Sequence, residues 1–370
     1  MTRAYIITNP MIAANKSTEV TLSKFLRVIH SCFDHLIVIG GNLSVESDLQ
    51  DVELVSFRIQ RGKNKINRTL DILNVQFRMC FAIRERIKKN EQVFFWIGDK
   101  MIFPFLAAKR RKAEINYFIM GNTAKEGKVS LFTRISSKLI RYMAEHADYI
   151  CMESKSVRYE WPGLTLKKER IIHLYTDNIE MNPLEDRDRV MGMVCRLTAG
   201  KHVKECIEAM AEVHATYPEW SLEIIGSGKQ QTECEQLIDD MNVKEYVKLF
   251  GWIKHDNISE KTKKWKYFLF PTDTEGMPNG LLEMMGHGIP VLATPVGGIR
   301  DIVRNGVNGY LLEDNTKETI VNTIMRVIMM SETEYRKNAE EAYKTIVSEY
   351  SLESAIHNAR NTLRIERHKR

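Results

Sequence analysis

The sequence predicts an α/β protein made of two doubly wound, parallel-sheet domains. Three observations carry that reading. Short apolar runs alternate with amphipathic helical patterns along most of the chain, the order that yields parallel sheets covered by helices. The stretch from Phe268 to Leu312 reads strand, loop, helix, strand without interruption. A length of 370 residues is enough for two separate hydrophobic cores.

In the first half, apolar spacing predicts strands over 4–8, 36–40, 52–57, 93–97, 117–120 and 149–152. Helices are expected over 18–30, 68–90, 102–111 and 129–147. No internal repeat or low-complexity tract interrupts the alternation. Three loops follow strand carboxyl ends: residues 9–17, residues 58–65, and Gly121-Asn122-Thr123. The second carries Arg58, Arg61, Lys63 and Lys65, and reads either as a dock for an anionic acceptor or as a solvated basic surface. The helix over 129–147 places Leu131, Phe132, Ile135, Leu139, Ile140 and Met143 on one side, and Lys128, Arg134, Lys138 and Arg141 on the other. With Lys109-Arg110-Arg111-Lys112 just before it, its apolar face either rests on anionic lipid or packs on its own sheet.

Residues 174–186 are turn-rich and read as the linker. Asp186-Arg187-Asp188 matches a metal-binding DxD pattern only by chance, because it lies in the linker and not after a core strand. Strands are expected over 190–195, 221–225, 247–250, 267–270 and 291–293, and helices over 201–214, 232–241 and from Leu281 to the glycines at 286 and 288. Gly226-Ser227-Gly228-Lys229 lacks the upstream glycine and the following Ser or Thr of a P-loop, which excludes an ATPase reading. From 317 the tail is helical, with a break at Tyr350-Ser351 and a basic end over 364–370.

The chemistry concentrates where the loop after the 267–270 strand meets its helix. A helix start offers free N–H groups and partial positive charge, which suits phosphate. Asn279 is the expected N-cap, and Gly276 and Gly280 let a ligand approach the backbone. Glu275 in the loop and Glu283 one turn into the helix stand eight positions apart. Carboxylates accept from vicinal hydroxyls, so the stretch offers a phosphate seat between two hydroxyl clamps. A nucleotide sugar, with a diphosphate between a ribose and a hexose, fits that layout.

Glu275-Gly276 through Glu283, Gly288-Ile289-Pro290-Val291, Gly297-Gly298 and Gly306-Val307-Asn308-Gly309, in that order, resemble the signature of retaining glycosyltransferases of family 4. The resemblance is specific from Val190 to Leu312 and generic before that. It implies the GT-B fold, two Rossmann-like domains facing a central cleft. Residues 1–178 would be the acceptor-binding domain and 179–350 the nucleotide-sugar-binding domain, with 351–370 a helix crossing back to the first. It also implies that Arg196 and Lys201 bind the donor diphosphate, stabilising the charge that grows on the leaving group. Glu275 would hold the sugar beside the anomeric centre and Glu283 the ribose. Met277, Pro278, Asn279, Gly280 and Leu281 would line the donor through their main chain, with Gly276 and the Gly226 turn near it. Ile253 would meet the base edge, whereas Trp252 reads equally as core. The sequence departs from the family at Ala13-Ala14-Asn15, where relatives have a glycine pair, and at Asn122, where many have a histidine. Asn122 can donate a hydrogen bond but cannot act as a base.

The implied activity is a retaining, metal-independent transfer from a UDP-sugar, favoured over a GDP-sugar, to a glycan or lipid-linked acceptor in cell-surface polysaccharide or glycoconjugate synthesis. Alternatives are a nucleotide-sugar epimerase on the same scaffold and a catalytically inactive partner subunit. No cofactor beyond the donor is expected. The six cysteines show no paired spacing, and no CxxC or His-rich cluster indicates zinc. They read as thiols of a reducing cytosol. The net charge of +6 suits an anionic ligand or membrane surface without requiring nucleic acid. The N-terminus reads as a first strand and not a signal peptide, and the most apolar region, 93–108, is broken by Asp99 and Lys100. A cytoplasmic protein, peripheral at the inner face of the membrane, is the expected location.

Overall fold

Apolar runs too short for helices become buried strands, and the segments between them fold back over the resulting sheets. The computed structural model describes all residues except 1, 9–15, 46–48, 60–64, 99–100, 121–130, 166–167, 178, 186, 255–256 and 364–370, and omits the side chains of 16–18, 65–69 and 131–133. Ala13-Ala14-Asn15, Arg61, Lys63, the Lys65 side chain, Gly121-Asn122-Thr123, Lys128, Asp186 and the basic tail therefore lie outside the described residues. The chain divides into two units, residues 1–174 with 355–370, and residues 175–354.

The first unit has seven parallel strands: β1 (Arg3–Thr8), β2 (His35–Gly41), β3 (Val52–Phe57), β4 (Gln92–Trp96), β5 (Glu114–Phe118), β6 (Tyr149–Met152) and β7 (Glu169–Ile171). Their order is β3-β2-β1-β4-β5-β6-β7, the doubly wound pattern expected. Helices α1 (Lys16–His30), α2 (Lys65–Arg86), α3 (Ile102–Arg110) and α4 (Leu131–His146) connect them. Met143 of α4 is buried, and Leu139 and Ile140 pack against the same core as Tyr5, Phe95 and Tyr117. Three of the six apolar side chains expected on α4 thus pack on its own sheet, whereas Ile135 is exposed and the side chains of Leu131 and Phe132 lie outside the described residues. β7, which the sequence did not flag, completes the edge.

The second unit has six parallel strands: β8 (Asp188–Val194), β9 (Ser221–Ile225), β10 (Val247–Leu249), β11 (Trp265–Phe270), β12 (Val291–Ala293) and β13 (Gly309–Leu311). The order β10-β9-β8-β11-β12-β13 reverses direction between β8 and β11. Helices α5 (Val203–Thr216), α6 (Gln231–Asp240), α7 (Ile258–Thr262), α8 (Asn279–Gly286), α9 (Ile299–Ile302), α10 (Lys317–Ile328) and α11 (Glu332–Glu349) complete it. One core lies between the sheet and α5, α6 and α10, the other between the sheet, α8 and α11. The long helical tail is two helices, because Ser331 and Glu334 form a capping box that starts α11. Arg187 is buried and donates to the carbonyls of Trp265 (3.0 Å) and His287 (2.7 Å), and Asp188 opens β8. Helix α12 (Leu352–Leu363) belongs from Ala355 onward to the first unit, within which Arg360 Nε donates to Ser31 O at 3.2 Å and Thr362 Oγ1 to Ile171 O at 3.1 Å.

Candidate active site

In an open α/β sheet the ligand crevice lies beyond the strand carboxyl ends, where the strand order reverses. In the second unit that point falls between β8 and β11, and the singled-out residues follow those two strands. After β8 the chain passes Cys195 and Arg196 and makes a tight helical turn over Ala199–Lys201. His202 ends the turn in the left-handed conformation (φ 50°), so the helix expected from 201 starts two residues later, at Val203. After β11 come Pro271, Thr272, Asp273 and Thr274, then Glu275.

These two segments are tied together. Asp273 N donates to Gly200 O (3.1 Å), and the His202 ring bonds Asp273 Oδ1 through Nε2 (2.7 Å). Lys201 Nζ donates to Thr272 Oγ1 at 2.9 Å and forms an ion pair with Glu275 Oε1. The side chains of Lys201 and Glu275 are only 14% and 17% exposed, so solvent screens the pair weakly. The ammonium also lies 4.9 Å from the Phe270 ring centroid. Arg196, by contrast, is exposed, and its guanidinium has no hydrogen-bond or ion-pair partner among the described residues. One cation is held by its carboxylate and the other is free to take an anion. Burial pushes the neighbouring Cys195 thiol up to about 12, which keeps it neutral.

Helix α8 begins differently from expectation. Pro278, not Asn279, occupies the N-cap position, and no side chain caps the helix. Pro278 suits that place because its fixed φ (−79°) with an extended ψ (101°) turns the chain into the helix, and its carbonyl takes the amides of Leu281 (3.1 Å) and Leu282 (3.2 Å). Asn279 is therefore the first helical residue. By helix geometry its amide and that of Gly280 have no partner within the helix. Two buried polar atoms bracket the loop without a partner among the described residues, Thr274 Oγ1 and Asn279 Oδ1.

Met277 and Leu281 send their side chains into the core, so only their main chain faces a ligand. Glu283 is buried on the second turn of α8. The Gly226 and Ile253 loops are adjacent, because Gly226 N donates to Gly251 O at 2.8 Å. Ile253 is half-buried, whereas Trp252 is 70% exposed, which removes its core reading. Among the described residues no group of three His, Cys, Asp or Glu side chains is placed to hold a metal ion.

A family profile described as glycosyl transferases group 1 matches residues 176–345, the span that holds all these groups. Residues 176–345 belong to the group 1 glycosyl transferases. The chain is 29% identical over 124 residues to the UDP-N-acetylglucosamine–peptide N-acetylglucosaminyltransferase GtfA subunit of Streptococcus agalactiae, a match covering 33% of this chain and 24% of the relative. It is 30% identical over 151 residues to the lipopolysaccharide 1,6-galactosyltransferase of Salmonella typhimurium, covering 40% and 41% of the two chains. The matched stretch thus spans less than half of either relative. Anabaena HepE, solved with UDP and glucose, superposes with a TM-score of 0.76 at 16% identity over 98% of this chain and 99% of HepE. The fold is GT-B.

The glycine pairs of this group 1 domain have specific steric reasons. A Cβ on Gly297 (φ +47°) would lie 1.7 Å from Glu275 O, and Gly298 N donates to Gly276 O at 2.8 Å, so the pair braces the Glu275 loop from behind. A Cβ on Gly226 (φ +145°) would lie 1.8 Å from Cys195 O, just before Arg196. Sequence reasoning missed Thr272, His202, Thr294 and Asn315. Thr272 N donates to Thr294 Oγ1 at 3.2 Å, Thr294 Oγ1 donates to Asn315 Oδ1, and Asn315 Nδ2 donates to Thr272 O at 3.3 Å. Thr272 could have been flagged as a hydroxyl two residues after a strand end and three before Glu275. Nothing in the sequence marks Asn315.

Proposed function

We propose that this protein is a retaining, metal-independent glycosyltransferase. It would move a sugar from a UDP-sugar, in preference to a GDP-sugar, to a glycan or lipid-linked acceptor of cell-surface polysaccharide or glycoconjugate synthesis. The observation that carries the reading is the joining of the Arg196–Lys201 turn to the Glu275 loop at the switch point of the second sheet, beside an uncapped helix start. The UDP preference draws on UDP in the HepE structure and in the name of the streptococcal relative.

In this reading the donor diphosphate lies on Arg196, Lys201 and the amides of Asn279 and Gly280. The hydroxyl-facing groups are Glu275 for the sugar, Glu283 for the ribose and the unpartnered Thr274 and Asn279 side chains. Met277, Pro278 and Leu281 contribute main chain, Gly276 and Gly226 close approach, and Ile253 the base edge. As the anomeric carbon–oxygen bond lengthens, negative charge grows on the β-phosphate. The exposed guanidinium and the helix start stabilise it most at that moment. The Glu275 carboxylate, already oriented by Lys201 and Thr272, faces the positive charge left on the sugar ring. The acceptor hydroxyl attacks from the face that the phosphate leaves, and the phosphate oxygen takes its proton, so the anomeric configuration is kept. A lipid-linked acceptor would bring the enzyme to the inner face of a membrane.

A thermal-shift screen of UDP, GDP and CDP tests the donor. A ligand at one hundred times its dissociation constant stabilises the native state by about 2.7 kcal/mol, and UDP should give the largest rise. Turnover should survive EDTA, and NMR should show the product anomer matching the donor. Loss of turnover with EDTA, or an inverted product, would reject the mechanism.

A further inference from the structure

We propose that the outer faces of α2 and α3 form a docking surface for an anionic lipid bilayer. Helix α2 is apolar on two sides. Val75, Met79, Ala82 and Ile83 face the core, as a helix covering a sheet requires. On the opposite side Leu70, Phe77 and Phe81 follow one another at seven- and four-residue spacing, one stripe of the helix. Phe77 and Phe81 are 60% and 63% exposed, and Leu70 is exposed to a similar degree. The stripe continues onto α3, where exposed Phe103 stacks on Phe77 with ring centroids 5.3 Å apart. Single exposed apolar residues are ordinary, but a contiguous aromatic stripe on two helices marks an interaction surface.

Charge selects the partner. Among residues of α2, α3 and α4 with described side chains, eight lysines and arginines stand against three acids, Asp71, Glu85 and Glu145. The whole chain carries only +6, so this helical layer holds a large share of its excess. Arg84 follows Phe81 by three positions and so stands on the stripe's side of α2, and exposed Arg110 of α3 acts, with Arg84, on the thiol of Cys80, the neighbour of Phe81 in the chain. Arg111 and Lys112 follow Arg110, exposed. Phenyl rings that can enter the headgroup region, on helices with a surplus of cations, match the two requirements for binding an anionic interface. On α4, the surface that the sequence suggested for this role, Met143, Leu139 and Ile140 pack on the core, and Ile135 is exposed. The proposal is independent of donor chemistry; the proposed function supplies only its purpose, access to a lipid-linked acceptor.

The test is flotation of the full-length protein with vesicles of phosphatidylcholine alone and of an equimolar phosphatidylcholine–phosphatidylglycerol mixture. Binding is expected to the anionic vesicles only, and to fall with salt. The variant Phe77→Ser/Phe81→Ser should lower partitioning by about tenfold or more. Arg84→Gln/Arg110→Gln should lower it about fivefold for each charge removed. Both variants should keep the wild-type melting temperature and the UDP-induced shift, so a failure here is separable from a failure of the donor assignment. If the phenylalanine variant does not fold, the arginine pair decides. Absence of flotation, or flotation unchanged by the variants, overturns the proposal. So does a wild-type dimer in sedimentation that the phenylalanine variant makes monomeric without any vesicle binding, because the stripe would then join two copies of the chain.

Discussion

Replacing Gly297 with alanine should damage the site far more than the same change at Gly306, although both glycines have positive φ, +47° and +76°. At Gly306 an added Cβ has no neighbour within 4 Å, so the penalty is that of a left-handed alanine alone, about 1 kcal/mol. In a unit of this size that lowers the melting temperature by about 2–4 °C. At Gly297 the Cβ would sit 1.7 Å from the carbonyl oxygen of Glu275. A carbon and an oxygen need roughly 3.2 Å, so the loop must retreat by about 1.5 Å. That adds about 1–3 kcal/mol of strain. It also moves the carboxylate off its target, and misplacement of about 1 Å is enough to lower turnover about 100-fold. Calorimetry gives the stabilities, and UDP release from the donor gives turnover. If Gly297→Ala melts and turns over like Gly306→Ala, the steric bracing of the Glu275 loop is wrong.

Other outcomes follow from the same geometry. Lys201→Ala and Glu275→Ala should each abolish transfer while the protein stays folded; wild-type turnover in either would reject the site. Lys201→Met alone should destabilise by about 1–3 kcal/mol by stranding a half-buried carboxylate. Adding Glu275→Gln should recover most of that stability and none of the activity, read by denaturant melts beside turnover assays. Arg187→Met should lower stability by about 1–3 kcal/mol, because the buried carbonyls of Trp265 and His287 each lose a charged donor, although His287 O keeps the Asn182 amide; a neutral result would show that water replaces the guanidinium. Burial lowers the pKa of His173 from 6.5, so its folded form favours the neutral ring. Its contribution is complete above pH 6.5 and is lost as pH falls below it. His173→Gln should flatten the acid side of the stability curve, and an unchanged slope would assign the acid sensitivity elsewhere.

Much of the local structure was legible because it depends on neighbours in sequence. The strand over 291–293 and the strand over 221–225 appear with the expected bounds, since turn residues flank them closely. The Ser331 to Glu334 capping box was equally readable and marks the break between α10 and α11 that the helical periodicity alone passed over. The N-cap of α8 was misread because Asn is the better cap by type, whereas the dihedral angles of Pro278 settled the position. The turn before α5 was also missed, since periodicity does not foresee a left-handed histidine held by an aspartate 71 residues away.

The sequence by itself determined the alternation of strands and helices, the loops that carry Arg196, Lys201 and Glu275, the helix that carries Glu283, and the family signature they resemble, because each rests on short segments of the chain. The tertiary structure alone decided that Lys201 pairs with Glu275 across 74 positions while Arg196 stays free. It alone showed that Thr272, Thr294 and Asn315 support that loop, and that Phe77 of α2 and Phe103 of α3 stack as one exposed aromatic face. Which side chains meet, and which of two apolar faces is left over, depends on the order in which strands line up in the sheet. That order is set by the summed burial of the whole unit and not by any local pattern.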